Sequence, residues 1–218
     1  YDPSGIRQWT RFIPGTAGND AARAVAVAGS DVYVVGETDF IEATQGSGFL
    51  ARYDASGNIQ WGPVSISASV LATARGVTLD NGGNVYVAGY AMGDLNGQLN
   101  AGAEDPFLMK FDSSGIPIWT RLWGNGVHNY ASGVVSYGSD NIYVVGRAFG
   151  SWDGETNAGD TDAFITKFDG SGSRQWTRFT GDVSFDAAHA VAVDSSGNIY
   201  VTGETDTMLN LNDAFLMK

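Results

Sequence analysis

The sequence lacks cysteine, is poor in basic residues and contains no long hydrophobic run. Without cysteine the chain can form neither a disulfide framework nor a thiolate zinc site, and it has no thiol nucleophile. Its 12 Lys and Arg residues against 24 Asp and Glu residues give a net charge of −12, which leaves no basic surface for phosphates. No apolar segment approaches the roughly 18 residues that span a bilayer. We therefore expect neither a nucleic-acid partner nor a membrane span.

The remaining composition is that of a folded chain. Hydrophobic residues make up 43% of the 218 residues, which excludes a disordered acidic tail and is enough for a substantial core. The chain begins at Tyr1 without a methionine or a signal-type segment, which favours a processed product or an excised fragment.

An internal repeat dominates the sequence. Four segments align from end to end, with bounds 1–52, 53–110, 111–167 and 168–218. Each opens with an aromatic-Asp-x-Ser-Gly motif, at Tyr1, Tyr53, Phe111 and Phe168. Each then carries a tryptophan, at Trp9, Trp61, Trp119 and Trp176, and a Tyr-Val-x-Gly motif, at Tyr33, Tyr86, Tyr143 and Tyr200. The repetition assigns these aromatic residues to the framework and indicates one structural unit per segment.

Within each unit the apolar residues recur with a period of two, which is typical of β-strands and not of helices. The runs 198–203 and 213–218 are rich in β-branched and aromatic residues, and Asp-x-Ser-Gly segments have the chemistry of hairpin turns. Four short antiparallel strands per unit predict an all-β fold: a single β-propeller domain over 1–218, with four four-stranded blades per chain. A repeated β-sandwich is the less favoured alternative, because sandwiches rarely keep one tryptophan and one turn motif in phase.

Two stretches carry a resemblance to a known family. Asp-Ser-Ser-Gly-Asn-Ile-Tyr-Val-Thr-Gly at 194–203 and Asp-Ala-Phe-Ile-Thr-Lys-Phe-Asp at 162–169 resemble the bacterial seven-bladed β-propeller repeat family. The resemblance implies a propeller in a secreted or surface-attached bacterial protein and supplies no catalytic residues. The chain departs from the family name in one respect, since it has four units.

Both chain ends fall at the same phase of the repeat. The chain begins with the fourth strand of a unit, around 6–12, and ends with the third strand, 214–218. We expect the N-terminal strand to complete the last blade and so to remove the open sheet edges. Three assemblies fit this pattern, namely a monomeric four-bladed ring, a homodimer that forms an eight-bladed ring, and a piece of a larger ring. We favour the four-bladed ring.

The loops between the second and third strands are long and variable, at 38–47, 91–105, 148–162 and 205–213. Because binding loops on a rigid scaffold have this character, we expect the ligand on the face that carries them. Two of the loops are rich in oxygen ligands of the kind that Ca²⁺ prefers. These residues are Asp94, Asn96, Asn100 and Asp105 in one loop, and Asp153, Asn157, Asp160 and Asp162 in the other. The alternative is that they bind their own backbone in turns.

Two sets of residues are candidates for contacting the ligand. Trp123 and Trp152 fall outside the repeat, and His128 and Tyr130 lie close in sequence to Trp123. Exposed aromatic rings hold sugars by stacking. Packing between blades is the alternative. Arg23, Arg75 and His189 occupy equivalent positions near the predicted axis, where they would bind an anionic or polar ligand or pair with nearby carboxylates.

The sequence favours binding over catalysis. It has no Gly-x-Ser-x-Gly elbow, no phosphate-binding loop and no His-Glu-x-x-His motif. We therefore predict a non-catalytic extracellular or cell-surface bacterial module that binds a carbohydrate or protein, without a required cofactor and with Ca²⁺ as the candidate metal. A structural or self-assembling surface module is the alternative. A polysaccharide-acting enzyme is less favoured, although two suitably spaced carboxylates would suffice for one.

Overall fold

The computed structural model describes residues 1–13, 19–38, 46–207 and 211–218, and these residues contain strands and turns but no helix. Accordingly, no helix that could cross a membrane is found in this part of the chain. The strands, in chain order, are β1 (Ala21–Ala28), β2 (Asp31–Thr38), β3 (Ser47–Tyr53), β4 (Ile59–Ile66), β5 (Leu71–Leu79), β6 (Val85–Met92), β7 (Glu104–Phe111), β8 (Pro117–Leu122), β9 (Asn129–Tyr137), β10 (Asn141–Ala148), β11 (Asp162–Phe168), β12 (Arg174–Thr180), β13 (Asp186–Val193), β14 (Ile199–Thr207) and β15 (Leu211–Met217).

The strands form four separate antiparallel sheets in chain order: β1–β4, β5–β8, β9–β12 and β13–β15. The predicted all-β class and the four successive antiparallel units are confirmed. The first three sheets have four strands, and the fourth has three. Residues 6–12, which the sequence assigned to the missing strand, form no strand and do not pair with β15. The last sheet therefore has an open edge.

The Asp-x-Ser-Gly motifs form tight turns held by the aspartate. In the first sheet, the Asp54 carboxylate accepts hydrogen bonds from the backbone N–H groups of Ser56 and Asn58, both at 2.9 Å. Hydrogen bonds of this kind favour the ionised carboxylate. In the equivalent turn at Asp194, the side chain of Asn198 and the backbone N–H groups together lower the pKa of Asp194 to about 2. Gly57 supplies the positive φ, 76°, that closes the turn. The motif is therefore repeated because one residue type orders the turn and another permits it.

Successive sheets pack face to face, with a hydrophobic core in each of the three joints. The first joint buries Leu50 and Phe107, the second buries Phe164, and the third buries Val145 and Val201. The first strands of neighbouring sheets lie against one another, so that β1 contacts β5, β5 contacts β9 and β9 contacts β13. The four sheets are consequently arranged in series around their first strands.

Each first strand contains a β-bulge at the same position, where the register with the second strand shifts by one residue. The residues left without a cross-strand partner are Arg23, Arg75, Ser132 and His189. The glycine of each Tyr-Val-x-Gly motif lies against this bulge. A Cβ on Gly89, for example, would come within 1.9 Å of the Thr73 carbonyl oxygen, and the other three glycines are as close to their carbonyls. The repeated glycine is thus required by the close approach of two backbones.

Candidate functional site

A cavity of about 580 Å³ lies where the four first strands begin. Arg23, Arg75, Ser132 and His189 all line it, so every sheet contributes to its wall. This end of the strands also carries the long loops between second and third strands, which is the face predicted to meet the ligand. Residues 39–45 of the first of those loops lie outside the described residues. The prediction of a long loop at 205–213 is wrong, because β14 and β15 pair as far as Thr207 and Leu211, and only residues 208–210 between them lie outside the described residues.

The bulges explain why four polar side chains meet here. A bulged residue leaves the regular alternation of the strand, and bulges are common beside binding sites because they re-aim a side chain. Arg23, Arg75 and His189 were predicted from the sequence to lie near the axis, and the structure brings them to one cavity. We call this cavity the axial pocket.

A second set of pocket residues follows the repeated glycines of the second strands. The residue after each glycine is Glu37, Tyr90, Arg147 or Glu204. Tyr90 and Arg147 line the pocket directly, while Glu37 and Glu204 pair with residues that line it. The sequence analysis missed this set. A signal for it is present, however, since one variable polar position follows an otherwise repeated glycine in all four units.

Three of the basic side chains in the axial pocket contact a carboxylate. Arg23 donates from Nε to Glu37 at 2.9 Å, and this bond raises the pKa of Arg23. Arg75 donates to the Tyr90 hydroxyl at 3.0 Å and has Nη2 3.8 Å from the same Glu37. His189 lies 3.2 Å from Glu204. These contacts hold the side chains of Arg23, Arg75 and His189 in place around the pocket.

Arg147 differs from the other cations of the pocket. Its guanidinium lies over three aromatic rings, at 4.6 Å from Tyr130, 5.4 Å from Phe185 and 5.9 Å from Phe149. Among the described residues, no carboxylate forms a salt bridge with Arg147 and none accepts a hydrogen bond from it. A guanidinium stacked in this way keeps its in-plane N–H donors available to a ligand.

The rings around Arg147 form a connected aromatic wall. Tyr130 meets Tyr90 edge to face at 4.8 Å, and its ring is parallel to that of His128 at 6.4 Å. Burial raises the pKa of Tyr130, and the nearby Glu104 charge acts in the same direction. Glu104 also forms a hydrogen bond with His128. His128 and Tyr130, both predicted as ligand contacts, therefore lie at the same mouth as the arginines.

The structure contradicts the expectation that Trp123 and Trp152 form an exposed platform. Each exposes only 7% of its surface and belongs to the core between the second and third sheets. Trp123 packs on Phe168 at 4.9 Å, and Trp152 meets Phe164 edge to face at 5.3 Å. These tryptophans fall outside the repeat because they fill one particular joint, which is the packing alternative that the sequence left open.

Three polar side chains of the loop 91–105 bind the backbone of the loop itself. Asp94 accepts from the N–H of Asn100 at 2.9 Å, and Asn100 accepts from the N–H of Gly102 at 2.8 Å. Asp105 accepts from the N–H of Ala101 at 2.6 Å. The other Asp105 oxygen is buried without a hydrogen-bond partner, and this burial raises the pKa of Asp105.

The loop 148–162 repeats the arrangement, since Asn157 accepts from Gly159 at 3.1 Å and Asp162 from Ala158 at 2.9 Å. Of the other predicted metal ligands, Asn96 donates to Thr120 and Asp153 accepts from Thr177, while Asp160 is exposed. Within the described ranges, no three or more His, Asp or Glu side chains are grouped to hold a metal ion. Five of the eight predicted ligands therefore bind the backbone of their own loops, and Asn96 and Asp153 bind side chains of neighbouring strands.

Comparisons with known proteins agree with the repeat. Residues 175–208 match the family model of the SBBP β-propeller repeat, which confirms the predicted resemblance over that segment. The chain is 36% identical over 126 residues to the regulatory protein FlaEY of Caulobacter vibrioides, a match that covers 53% of this chain and 13% of that protein. The chain thus spans a small part of the length of this relative.

Among solved structures, the GH43 endo-arabinanase from Bacillus licheniformis matches with a TM-score of 0.46 and 12% identity, over 88% of this chain and 71% of that one.

Proposed function

We propose that the chain is a non-catalytic binding module of an extracellular bacterial protein, and that its axial pocket takes a carbohydrate bearing an acidic group. The observation that carries the proposal is Arg147, a cation stacked on aromatic rings and free of carboxylate partners among the described residues. Its N–H donors suit a carboxylate, and the adjoining rings of Tyr130 and Phe149 suit the apolar face of a sugar. A uronic acid residue satisfies both.

The charge balance of the pocket supports an acidic ligand in a strongly acidic protein. Arg23 and Arg75 both approach Glu37, whereas Arg147 is, among the described residues, the arginine of the pocket without a carboxylate partner. A neutral sugar would leave Arg147 without an anionic partner, whereas a carboxylate of the ligand would supply one. An acidic side chain of a protein ligand offers the same group, and it is the alternative that the experiment must distinguish.

Binding is tested on an array that contains neutral glycans, uronic-acid glycans and acidic peptides, with affinities then measured by calorimetry. We expect binding to uronic-acid glycans, and an affinity about 10- to 100-fold weaker for Arg147→Ala, since hydrogen bonds to charged groups contribute about 1.5–3 kcal/mol. Lys167→Ala is the matched control, because it removes one positive charge from β11, away from the pocket. Equal affinity for wild type and Arg147→Ala would refute the assignment.

Two further arms address the metal and the chemistry. If EDTA abolishes binding, Ca²⁺ is required for the interaction although the loop carboxylates already accept hydrogen bonds. Hydrolysis of any bound glycan, lost on changing a pocket carboxylate such as Glu104, would overturn the non-catalytic assignment.

A second candidate function, a self-assembling structural module, is favoured by the three-stranded fourth sheet. We propose that a segment with the sequence of residues 6–12 supplies its fourth strand, as the phase of the repeat predicts. An open sheet edge invites an added strand, because its unpaired N–H and C=O groups remain available.

A further inference from the structure

The joints between sheets are fastened by a repeated contact between a tryptophan and a turn. Trp9, Trp61 and Trp119 donate their indole N–H to a backbone carbonyl of the next Asp-x-Ser-Gly turn, at 2.9, 3.1 and 3.3 Å. Each indole also covers the glycine of that turn, where an added Cβ would come within 2.8–3.0 Å of the ring. We call this contact the turn clasp.

Arginines reinforce two of the three turn clasps. Arg11 donates from Nε to the Gly57 carbonyl at 3.0 Å, and Arg121 donates in the same way to Gly172 at 2.7 Å. The N-terminal segment is therefore already fastened to the first sheet by Trp9 and Arg11, although it pairs with no strand.

Both halves of a fourth turn clasp are present and unjoined. Trp176 is the fourth equivalent tryptophan, and none of the described residues accepts its indole N–H. The fourth equivalent turn is the one at 2–5, in which Asp2 accepts from Ser4 and Ile6 as the other turn aspartates do. Its Gly5 has the same φ, 79°, as the clasped glycines, but nothing lies within 4 Å of the position of an added Cβ.

The two end sheets also expose apolar faces that are buried in the interior joints. Val25 on β1 is 63% exposed, whereas the equivalent Val77 on β5 is 8% exposed because it packs on the first sheet. At the other end, Leu216 on β15 is 73% exposed, whereas the equivalent Leu50 and Leu108 are fully buried by the following sheet. The exposed faces are thus the two halves of a fourth sheet-to-sheet surface of the same kind.

We propose that the first sheet of one copy of the chain packs head to tail on the fourth sheet of a second copy. This proposal rests on the second candidate function and specifies that the added strand comes from another copy of the same chain. Residues 1–12 of one copy would complete the fourth sheet of the other. The register of the complete sheets places Thr10 opposite Met217 and Phe12 opposite Phe215. Trp176 of one copy then covers Gly5 of the next, and the Val25 face meets the Leu216 face.

The series of joints favours a second copy over closure within one chain. β1 contacts β5 and β9 contacts β13, but no contact of similar extent joins β13 to β1 in the described ranges. Closure within one chain would have to bend all three packed joints, and close-packed cores resist such changes. A second copy uses both ends without altering any joint. Two head-to-tail contacts close an eight-sheet ring when the rotation per copy allows it.

The absence of cysteine allows a direct test by crosslinking. In the variant Thr10→Cys/Met217→Cys, the proposed register puts the two thiols opposite each other on neighbouring strands. The matched control is Thr166→Cys/Thr177→Cys, the equivalent pair within the third sheet, whose hydroxyl oxygens are 3.1 Å apart. After mild oxidation, we expect a disulfide-linked dimer from the first variant and a linked monomer from the control on a non-reducing gel.

The outcomes separate the two claims. A linked monomer from the Thr10 and Met217 pair would show that the strand comes from the same chain, so the second copy would be wrong while strand addition would stand. No linkage in either form would refute both. Light scattering on the unmodified chain should give about twice 23.0 kDa. Val25→Glu, at a position exposed in the single copy, should restore the mass of one chain without loss of folding, and a persistent dimer would contradict the proposed surface.

Discussion

The turn clasp predicts that two glycines with the same backbone conformation respond very differently to alanine. Gly115 and Gly83 both close turns led by an aspartate, with φ of 82° and 78°. An added Cβ at Gly115 would lie 2.9 Å from the Trp61 ring, whereas at Gly83 it would meet nothing within 4 Å. Gly83→Ala should therefore show only the cost of a left-handed conformation, about 1–2 kcal/mol.

Gly115→Ala should show that cost together with two further losses. Displacing the Trp61 ring is an overpacking change, which costs about 1–3 kcal/mol, and losing its N–H bond to Ser113 costs about 0.5–1.5 kcal/mol. The extra destabilisation is thus about 1.5–4.5 kcal/mol, equivalent to a Tm lower by several degrees for a chain of this size. Urea unfolding of both variants measures the difference.

A double-mutant cycle tests the cause of the difference. In a Trp61→Ala background, Gly115→Ala should cost no more than Gly83→Ala, because the ring that it displaces is absent. Equal costs in the wild-type background, or an excess that survives removal of Trp61, would refute the reasoning.

The buried Trp152 predicts that Trp152→Ala lowers the free energy of unfolding by about 3–5 kcal/mol, measured by urea titration, and that ligand affinity of the folded fraction is unchanged. For Asp194, whose pKa is lowered to about 2, the stabilisation over Asp194→Asn should be constant above the ordinary value of 3.8 and vanish as the pH falls towards 2. Asp105 behaves in the opposite way, because burial raises its pKa and disfavours its ionised form in the folded state. The stability of wild type relative to Asp105→Asn should therefore increase as the pH falls through the pKa of the folded state. Unfolding curves measured between pH 2 and 7 check both, and parallel pH profiles for a variant and wild type would contradict either.

The repeated features were predictable from the sequence because each rests on local chemistry. The Asp-x-Ser-Gly turns need only an aspartate that accepts two nearby N–H groups and a glycine with positive φ. The alternating strands need only a period of two. The polar residues at Arg23, Arg75 and His189 were also found, since they share a phase in the repeat.

Other features depend on how distant parts of the chain meet, and no single segment reports them. Trp123 and Trp152 look like loop residues in the sequence, but they fill the space between two sheets. The stacking of Arg147 depends on Tyr130 of β9 and on Phe149, which follows β10, and the sequence does not show that these rings lie beside it. The sequence predicted a strand at 6–12 from its phase, yet a strand needs a partner, and the described residues of one copy supply none.

The bulges allow the residues that line the axial pocket to vary without a change in the strands that carry them. A residue at a bulge has no cross-strand partner, so its side chain can change from Arg at 75 to Ser at 132 to His at 189 while the strand register around it stays the same. The four sheets thus carry three different residue types at one equivalent position. Gene duplication and drift at these sites could alter ligand preference at little cost in folding, and the same positions offer a small combinatorial library for engineering new specificities on an unchanged scaffold.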